Sequence, residues 1–287
     1  MKTEAIFFVG PRKTEIREVE VSDPQPQQVQ VLCKATGICA AEISRFTETD
    51  KLAFPFAPGR EGVGQVIRVG SDVKDIQPGQ YVTCHRWQKI QNLDASLVQK
   101  IPGEPEDATL WLVEPVARAI ASVQFAHVQP GDRVAVIGAG FMGLVVTQLV
   151  GRYPVYELVV VDAKAKNLSL AAEFGATETV NTAGKDGEAR LEALKKEPFD
   201  LVIAATCPQP LLDLGRQLCR RGGRYVIGVG DEAGSKSQSE RAVRSMWRGL
   251  VDLKPLVTHR HKFAEVQAAM EAGAQGGESY IRGALTF

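Results

Sequence analysis

The stretch Arg133-Val134-Ala135-Val136-Ile137-Gly138-Ala139-Gly140-Phe141-Met142-Gly143 decides the fold of this 287-residue chain. Its first half, RVAVI, is an almost purely apolar run, which is typical of a strand buried on both faces. Its second half carries the pattern GxGxxG and leads into FMGLVVTQLVGRY, a stretch with helical periodicity. A strand, a glycine-rich turn and a helix in this order predict the phosphate-binding unit of a dinucleotide-binding domain.

Each glycine of this turn has a distinct expected role. Gly138 allows the tight turn, Gly140 lets a pyrophosphate approach the backbone, and Gly143 lets the helix pack closely on the strand. The phosphates are expected at the amino end of the helix, beside Met142, where unpaired N–H groups and the helix dipole favour negative charge. A purely structural role for the glycines is the alternative.

The next apolar run, LVVVD, ends in Asp162, 19 residues beyond Gly143. A carboxylate at this place accepts hydrogen bonds from the adenosine ribose hydroxyls and repels a 2′-phosphate, which favours NAD(H) over NADP(H). Lys164 and Lys166 lie close by in sequence and keep NADP(H) open, unless they are solvated charges at the start of a helix.

Two further strand ends complete the predicted cofactor site. The runs DLVIAAT (200–206) and RYVIGVG (224–230) both finish in small residues, as required where a cofactor lies over the carboxyl ends of a parallel sheet. Thr206, Gly228 and Val229 are therefore added to the cofactor-binding set.

The chain divides into two kinds of pattern. Up to about residue 110, short β-like runs are broken by Pro and Gly, and alternation predicts half-buried strands with Ile16, Val19, Val21, Val29 and Val31 in one class of position. Beyond about residue 115, apolar runs alternate with helical stretches, which predicts an α/β domain with a doubly wound parallel sheet. The tail reads as one amphipathic helix followed by a strand.

Composition excludes several classes of function. The chain has 34 Lys and Arg against 34 Asp and Glu, so a broad basic face for nucleic acid is not expected. No run is long enough to span a membrane, and the apolar run near the amino terminus is too short for a signal peptide. Five widely spaced cysteines without a pairing pattern favour a reducing, cytoplasmic location.

Motifs throughout the chain resemble the medium-chain dehydrogenase/reductase superfamily, the zinc-type alcohol, sorbitol and threonine dehydrogenases. The resemblance implies a GroES-like β domain at 1–115 together with 260–287, and a Rossmann domain at 116–259 between them. Besides the nucleotide fingerprint, the motifs are GICAAE (37–42), PGREGVGQVIRVGSDV (58–73), QPGQYV (77–82), EPVARAI (114–120), GGRYVIGVG (222–230), PLVTH (255–259) and IRGALTF (281–287).

The resemblance also exposes departures at the catalytic zinc site. Cys39 and Glu114 match two of the superfamily's ligand positions, but Arg60 stands at the histidine position. A guanidinium has no free lone pair and stays protonated, so it cannot bind zinc. His85 is the nearest substitute by residue type. The Ser or Thr that relays the alcohol proton is Ala41 here, and the superfamily's downstream histidine position is a serine.

The chain also departs from the superfamily pattern in two longer segments. The four-cysteine lobe that binds a structural zinc is missing after Cys84, and only 24 residues separate Gly230 from Pro255, where two strands usually pair across a dimer axis. We therefore expect no structural zinc, no catalytic zinc, and a monomer or a non-standard dimer.

The leading hypothesis is an NAD(H)-dependent oxidoreductase that acts on a small alcohol or carbonyl substrate without zinc. Hydride transfer is expected between the domains near Cys39, with Arg60 as the replacement cation, paired with Glu114 or Glu61 and donating to the carbonyl oxygen. The alternatives are that Arg60 only neutralises buried carboxylates, that the chain is an inactive NAD(H)-binding module or sensor, and that Cys39 is a redox thiolate activated by Arg60.

Overall fold

The computed structural model describes residues 1–47, 53–206, 208–228 and 235–287. Its contacts divide the chain into two compact units, Met1–Glu114 with Asp252–Phe287, and Pro115–Val251. Among the described residues, no helix is long and apolar enough to cross a membrane.

The helices and strands are numbered here along the chain. They are β1 Lys2–Gly10, β2 Lys13–Glu20, β3 Gln28–Ile38, α1 Ala40–Thr47, β4 Gly62–Val69, β5 Tyr81–Cys84, β6 Ile90–Asp94, β7 Lys100–Ile101, α2 Val113–Phe125, β8 Arg133–Ile137, α3 Phe141–Val150, β9 Glu157–Asp162, α4 Ala165–Glu173, β10 Glu178–Asn181, α5 Gly187–Lys196, β11 Phe199–Ala204, α6 Gln209–Leu218, β12 Cys219–Ile227, α7 Lys236–Trp247, β13 Val257–Lys262, α8 Val266–Gln275 and β14 Arg282–Thr286, with short 3₁₀ helices at Ala108–Leu110 and Phe263–Glu265.

The first unit is built around a seven-stranded sheet in the order β13-β14-β3-β4-β5-β7, in which β6 also pairs with β3. The central strand β3 has Val29, Val31 and Cys33 buried against β4 and β5. The carboxyl-terminal strand β14 pairs antiparallel with the end of β3. In this pairing, Gly283 lies opposite Ile38, the last residue of β3. This pairing brings the last residues of the chain beside the segment that carries Cys39.

The second unit has a five-stranded parallel sheet in the order β10-β9-β8-β11-β12. Its three central strands are buried over almost their whole length, as their continuous apolar sequences predict. The direction in which successive strands are added to the sheet reverses at β8, which lies between β9 and β11. The turns that follow β8 and β11 therefore lie next to each other at the carboxyl edge of the sheet. The fold is therefore α/β, with a GroES-like sheet unit and a Rossmann-type unit.

Two expectations differ from the structure. Ile16 is 37% exposed rather than half-buried, because β2 pairs only with β1 in a two-stranded sheet. The segment 252–259 groups with the first unit and not with the Rossmann unit, because β13 pairs with β14. In the described part of the shortened region, residues 235–256, the chain forms the helix α7 and no strand.

Candidate active site

The turn between β8 and α3 has the geometry that a dinucleotide phosphate requires. Gly138 has φ +96°, which a residue with a side chain rarely adopts. A Cβ at Gly143 would collide with the carbonyl oxygen of Gly138, whereas a Cβ at Gly140 would meet no atom within 4 Å. The open space at Gly140 lies at the amino end of α3, so the residues present fit a nicotinamide dinucleotide here.

Asp162 is held by this same turn. Its Oδ2 accepts from the N–H of Ala139 at 2.6 Å, and its Oδ1 accepts from the N–H of Lys164 at 2.8 Å. Each carboxylate oxygen keeps a second lone pair for a ribose hydroxyl.

The other predicted cofactor residues lie at neighbouring strand ends of the same sheet. Thr206 follows β11, and its Cβ lies 3.0 Å from the position that a Cβ on Gly138 would take. Gly228 follows β12 with φ +73°, and its N–H donates to Ala204 at 3.0 Å. Met142 is half-buried in the first turn of α3, and Val229 lies outside the described residues.

In the first unit, the predicted catalytic residues lie around the end of β3 and the start of α1. Cys39 is the residue before α1, and its carbonyl oxygen accepts the N–H of Ile43 at 3.1 Å. Glu42, three residues on, turns back so that its Oε2 accepts from the backbone N–H of Cys39 at 3.3 Å and from the Cys39 thiol. The bond from the Cys39 N–H to Glu42 is one half of a capping box, and the Cys39 thiol adds a second donor to the same carboxylate oxygen.

Arg60 reaches this cluster from the loop before β4. Its Nε donates to Glu42 Oε1 at 3.1 Å, and its side chain is 29% exposed, against 1% for Glu42. The predicted partner of Arg60 was Glu114 or Glu61, whereas in the structure Arg60 pairs with Glu42. Its two terminal nitrogens have no hydrogen-bond partner within the described ranges.

Glu61 forms a second, fully buried ion pair beside the first. Its Oε2 accepts from a terminal nitrogen of Arg282, the first residue of β14. Gly37 makes the room, because a Cβ there would lie 2.6 Å from Glu61 Oε2. The backbone holds Glu61 in register, since its carbonyl oxygen accepts from the N–H of Gly37 and from Thr36 Oγ1, both at 2.8 Å.

Burial controls protonation in this cluster. Burial, opposed by the charge of Arg282, raises the pKa of Glu61 to about 7. Burial together with the neighbouring carboxylates of Glu61 and Glu42 raises the pKa of Cys39 to about 12. Cys39 is therefore a neutral thiol at physiological pH, and the carboxyl of Glu61 binds its proton more tightly than an ordinary glutamate does.

Two other residues from the sequence analysis lie near the cluster. Glu114 is the second residue of α2, and its charge acts on the pKa values of both Glu61 and Arg60. His85 has its Nδ1 3.3 Å from the carbonyl oxygen of Arg60.

The cluster contains three side chains with atoms that could bind a metal ion. Ligand atoms of Cys39, Glu42 and Glu61 lie within 4.8 Å of one another, and this is the group with metal-ligand chemistry among the described residues. It includes no imidazole, and each of its carboxylates is paired with an arginine. A zinc ion there would face two fixed cations, so the arrangement does not fit zinc.

Two members of the cluster, Glu42 and Arg282, were not among the predicted site residues. A glutamate three residues after the residue that precedes a helix is the second half of a capping box, so the local sequence contained half of a signal for Glu42. Arg282 had no local signal, because its partner Glu61 lies 221 residues away.

Comparisons with known proteins agree on both units. The family model described as "Alcohol dehydrogenase GroES-like domain" matches residues 25–104, and the model described as "Zinc-binding dehydrogenase" matches residues 142–272. The chain is 24% identical to an uncharacterised zinc-type alcohol dehydrogenase-like protein, YdjJ, of Escherichia coli strain K12, with 99% of each chain covered.

Two of the solved structures with this fold are from Escherichia coli. An Escherichia coli oxidoreductase/dehydrogenase of unknown specificity, involved in membrane biogenesis, superposes with a TM-score of 0.90 at 22% identity, covering 100% of this chain and 99% of the other. A short chain alcohol dehydrogenase of Escherichia coli CFT073 complexed with NADH gives a TM-score of 0.86 at 21% identity, with the same coverage.

Proposed function

Because the chain belongs to the medium-chain dehydrogenase/reductase superfamily, we propose that it is an NAD(H)-dependent oxidoreductase acting on a small alcohol or carbonyl substrate without a catalytic zinc ion. The single observation that carries this proposal is Arg60. Its guanidinium is fixed on one edge by Glu42 and keeps its other edge without a partner among the described residues, at the sequence position of a zinc-ligand histidine.

The cofactor, when bound, supplies or accepts the hydride, and Gly138, Gly140, Gly143 and Asp162 are the residues that would hold it. Asp162 favours NAD(H), because a 2′-phosphate would face its carboxylate.

The residues of the first unit provide the remaining chemistry. In carbonyl reduction, negative charge develops on the substrate oxygen, and Arg60 stabilises it by donating hydrogen bonds from its terminal nitrogens. Glu61, whose pKa burial raises to about 7, gives a proton to this oxygen, so that the alcohol leaves neutral; in alcohol oxidation Glu61 takes the proton back. Glu114 adds negative charge that favours the cationic form of Arg60.

The redox-thiolate alternative is disfavoured by the site itself. A thiol with a pKa of about 12 that donates to a carboxylate is a poor nucleophile.

The test is nicotinamide fluorescence of chelator-treated protein with a panel of aldehydes, ketones, quinones and polyols. We expect turnover in the wild type, loss of turnover in Arg60→Leu, and retention in Arg68→Leu, which removes an exposed arginine of the same unit. Cofactor binding without turnover across the panel would contradict the proposal and support an NAD(H)-binding module or sensor.

A further inference from the structure

Glu42 is the most heavily engaged side chain of the cluster. One oxygen accepts from the backbone and the thiol of Cys39, and the other accepts from Arg60. Glu42 is 1% exposed, so its carboxylate is hydrogen-bonded by these protein donors and hardly by water.

We propose that Glu42 is the positioning residue of this site, which fixes the Nε edge of Arg60 and retains the proton of Cys39, so that the terminal edge of Arg60 is left for the substrate oxygen. The catalytic part rests on the proposed function, whereas the positioning of Arg60 and Cys39 does not.

The chemistry of a carboxylate explains why this residue is acidic. A carboxylate has two acceptor oxygens and no donor, so it receives Cys39 on one side and Arg60 on the other. An amide has one acceptor and one donor group, and at this position its NH₂ would face either the Arg60 Nε–H or the Cys39 N–H. Because the backbone N–H of Cys39 is fixed at the start of α1, Glu42→Gln keeps its size and this contact and loses the contact with Arg60.

A purely structural role for Glu42, as the cap of α1, is the rival explanation. The chain offers a matched control for it. Glu265 lies three residues after Lys262 and accepts its backbone N–H at 2.8 Å, in a second capping arrangement outside the cluster. If Glu42 only caps a helix, Glu42→Gln and Glu265→Gln should change the protein in the same way.

The first readout is spectroscopic and needs no substrate. In ¹⁵N-labelled protein, the Arg60 Nε–H should give a resonance protected from exchange with water, identified by its absence in Arg60→Lys, a variant that keeps the charge but has no Nε–H. This resonance should exchange rapidly in Glu42→Gln and remain protected in Glu265→Gln.

The second readout is alkylation of Cys39 by iodoacetamide at mildly alkaline pH, mapped by mass spectrometry with Cys39→Ser as blank. Removing the carboxylate charge should speed modification by about tenfold, since one pKa unit changes the thiolate fraction tenfold. Glu265→Gln should react at the wild-type rate.

The third readout is steady-state kinetics with any substrate that the panel identifies. Glu42→Gln should lower kcat by about 10²-fold with little change in KM, because a misplaced donor loses contact with charge that develops in the transition state. Unchanged Nε–H protection and unchanged alkylation in Glu42→Gln would overturn the positioning role. An inactive wild type in which both readouts still respond would overturn the proposed function alone.

Discussion

Gly140 is the residue whose substitution isolates cofactor binding from folding. The space that its Cβ would fill is empty, and its φ of −68° is open to any residue. Gly140→Val should therefore fold normally yet place methyl groups where the pyrophosphate must approach.

We expect loss of measurable NADH binding by fluorescence titration of Gly140→Val, with an unchanged melting temperature. Gly10→Val, at another glycine whose Cβ meets only the end of a flexible lysine, is the control and should bind NADH normally. Normal NADH affinity in Gly140→Val would refute the placement of the pyrophosphate.

Arg60 is the residue that separates this site from a zinc site. Arg60→His removes a fixed cation and adds an imidazole beside Cys39 and Glu61, which restores a donor set that zinc accepts. Metal analysis after dialysis against zinc should find well under one equivalent in the wild type and a clear gain in Arg60→His. Stoichiometric, chelator-resistant zinc in the wild type would contradict the zinc-free proposal.

Glu61 makes the stability of the fold depend on pH. Its folded-state pKa of about 7 lies above the ordinary 4.5, so the folded protein holds an extra proton between these values. The contribution of Glu61 to stability is therefore complete at low pH and is lost as pH rises through about 7. The full effect is at most of order 3 kcal/mol, at 1.36 kcal/mol for each pKa unit.

This dependence is measured by urea unfolding at several pH values between 5 and 8. Glu61→Gln should flatten the decline of unfolding free energy with pH, even though it lowers stability overall by removing the charge that pairs with Arg282. Glu20→Gln, at an exposed carboxylate, should reproduce the wild-type slope. A wild-type slope in Glu61→Gln would show that this carboxyl titrates normally.

At the scale of elements, β2 and β3 show how pairing decides burial. Both strands carry apolar residues, but β3 lies between β14 and β4, while β2 pairs only with β1. Val31 in β3 is fully buried, and Ile16 in β2 is 37% exposed.

Matched truncations should show this difference in the free energy of unfolding. We expect Val31→Ala to cost about 2 kcal/mol, because it leaves a cavity in the sheet core. Ile16→Ala should change stability by no more than about 0.5 kcal/mol. Equal losses of unfolding free energy in denaturant titrations would show that the hairpin of β1 and β2 is covered in solution.

At the scale of the whole molecule, cofactor and metal should affect stability differently. A ligand that binds only the folded state stabilises it by about 2.7 kcal/mol at one hundred times its Kd. NADH should therefore raise the melting temperature of the Rossmann unit, while a chelator should leave the melting curve unchanged. Destabilisation by the chelator that zinc reverses would indicate a structural role for metal.

The sequence by itself determined the parts of this protein whose cause is local. The buried strand β8, the turn at Gly138 and the start of α3 follow from consecutive residues, and Asp162 ends the adjacent strand β9. The two-unit α/β organisation follows from the change in hydrophobic period along the chain.

Only the tertiary structure decided which charges meet in the candidate active site. Sequence analysis selected Cys39, Arg60, Glu61 and Glu114, but it paired Arg60 with the wrong carboxylate and left out Arg282. Glu42 reaches Arg60 across 18 residues, and Arg282 reaches Glu61 across 221 residues, through the pairing of β14 with β3. Ion pairs between buried side chains depend on which elements the fold brings together, and no local pattern encodes that choice.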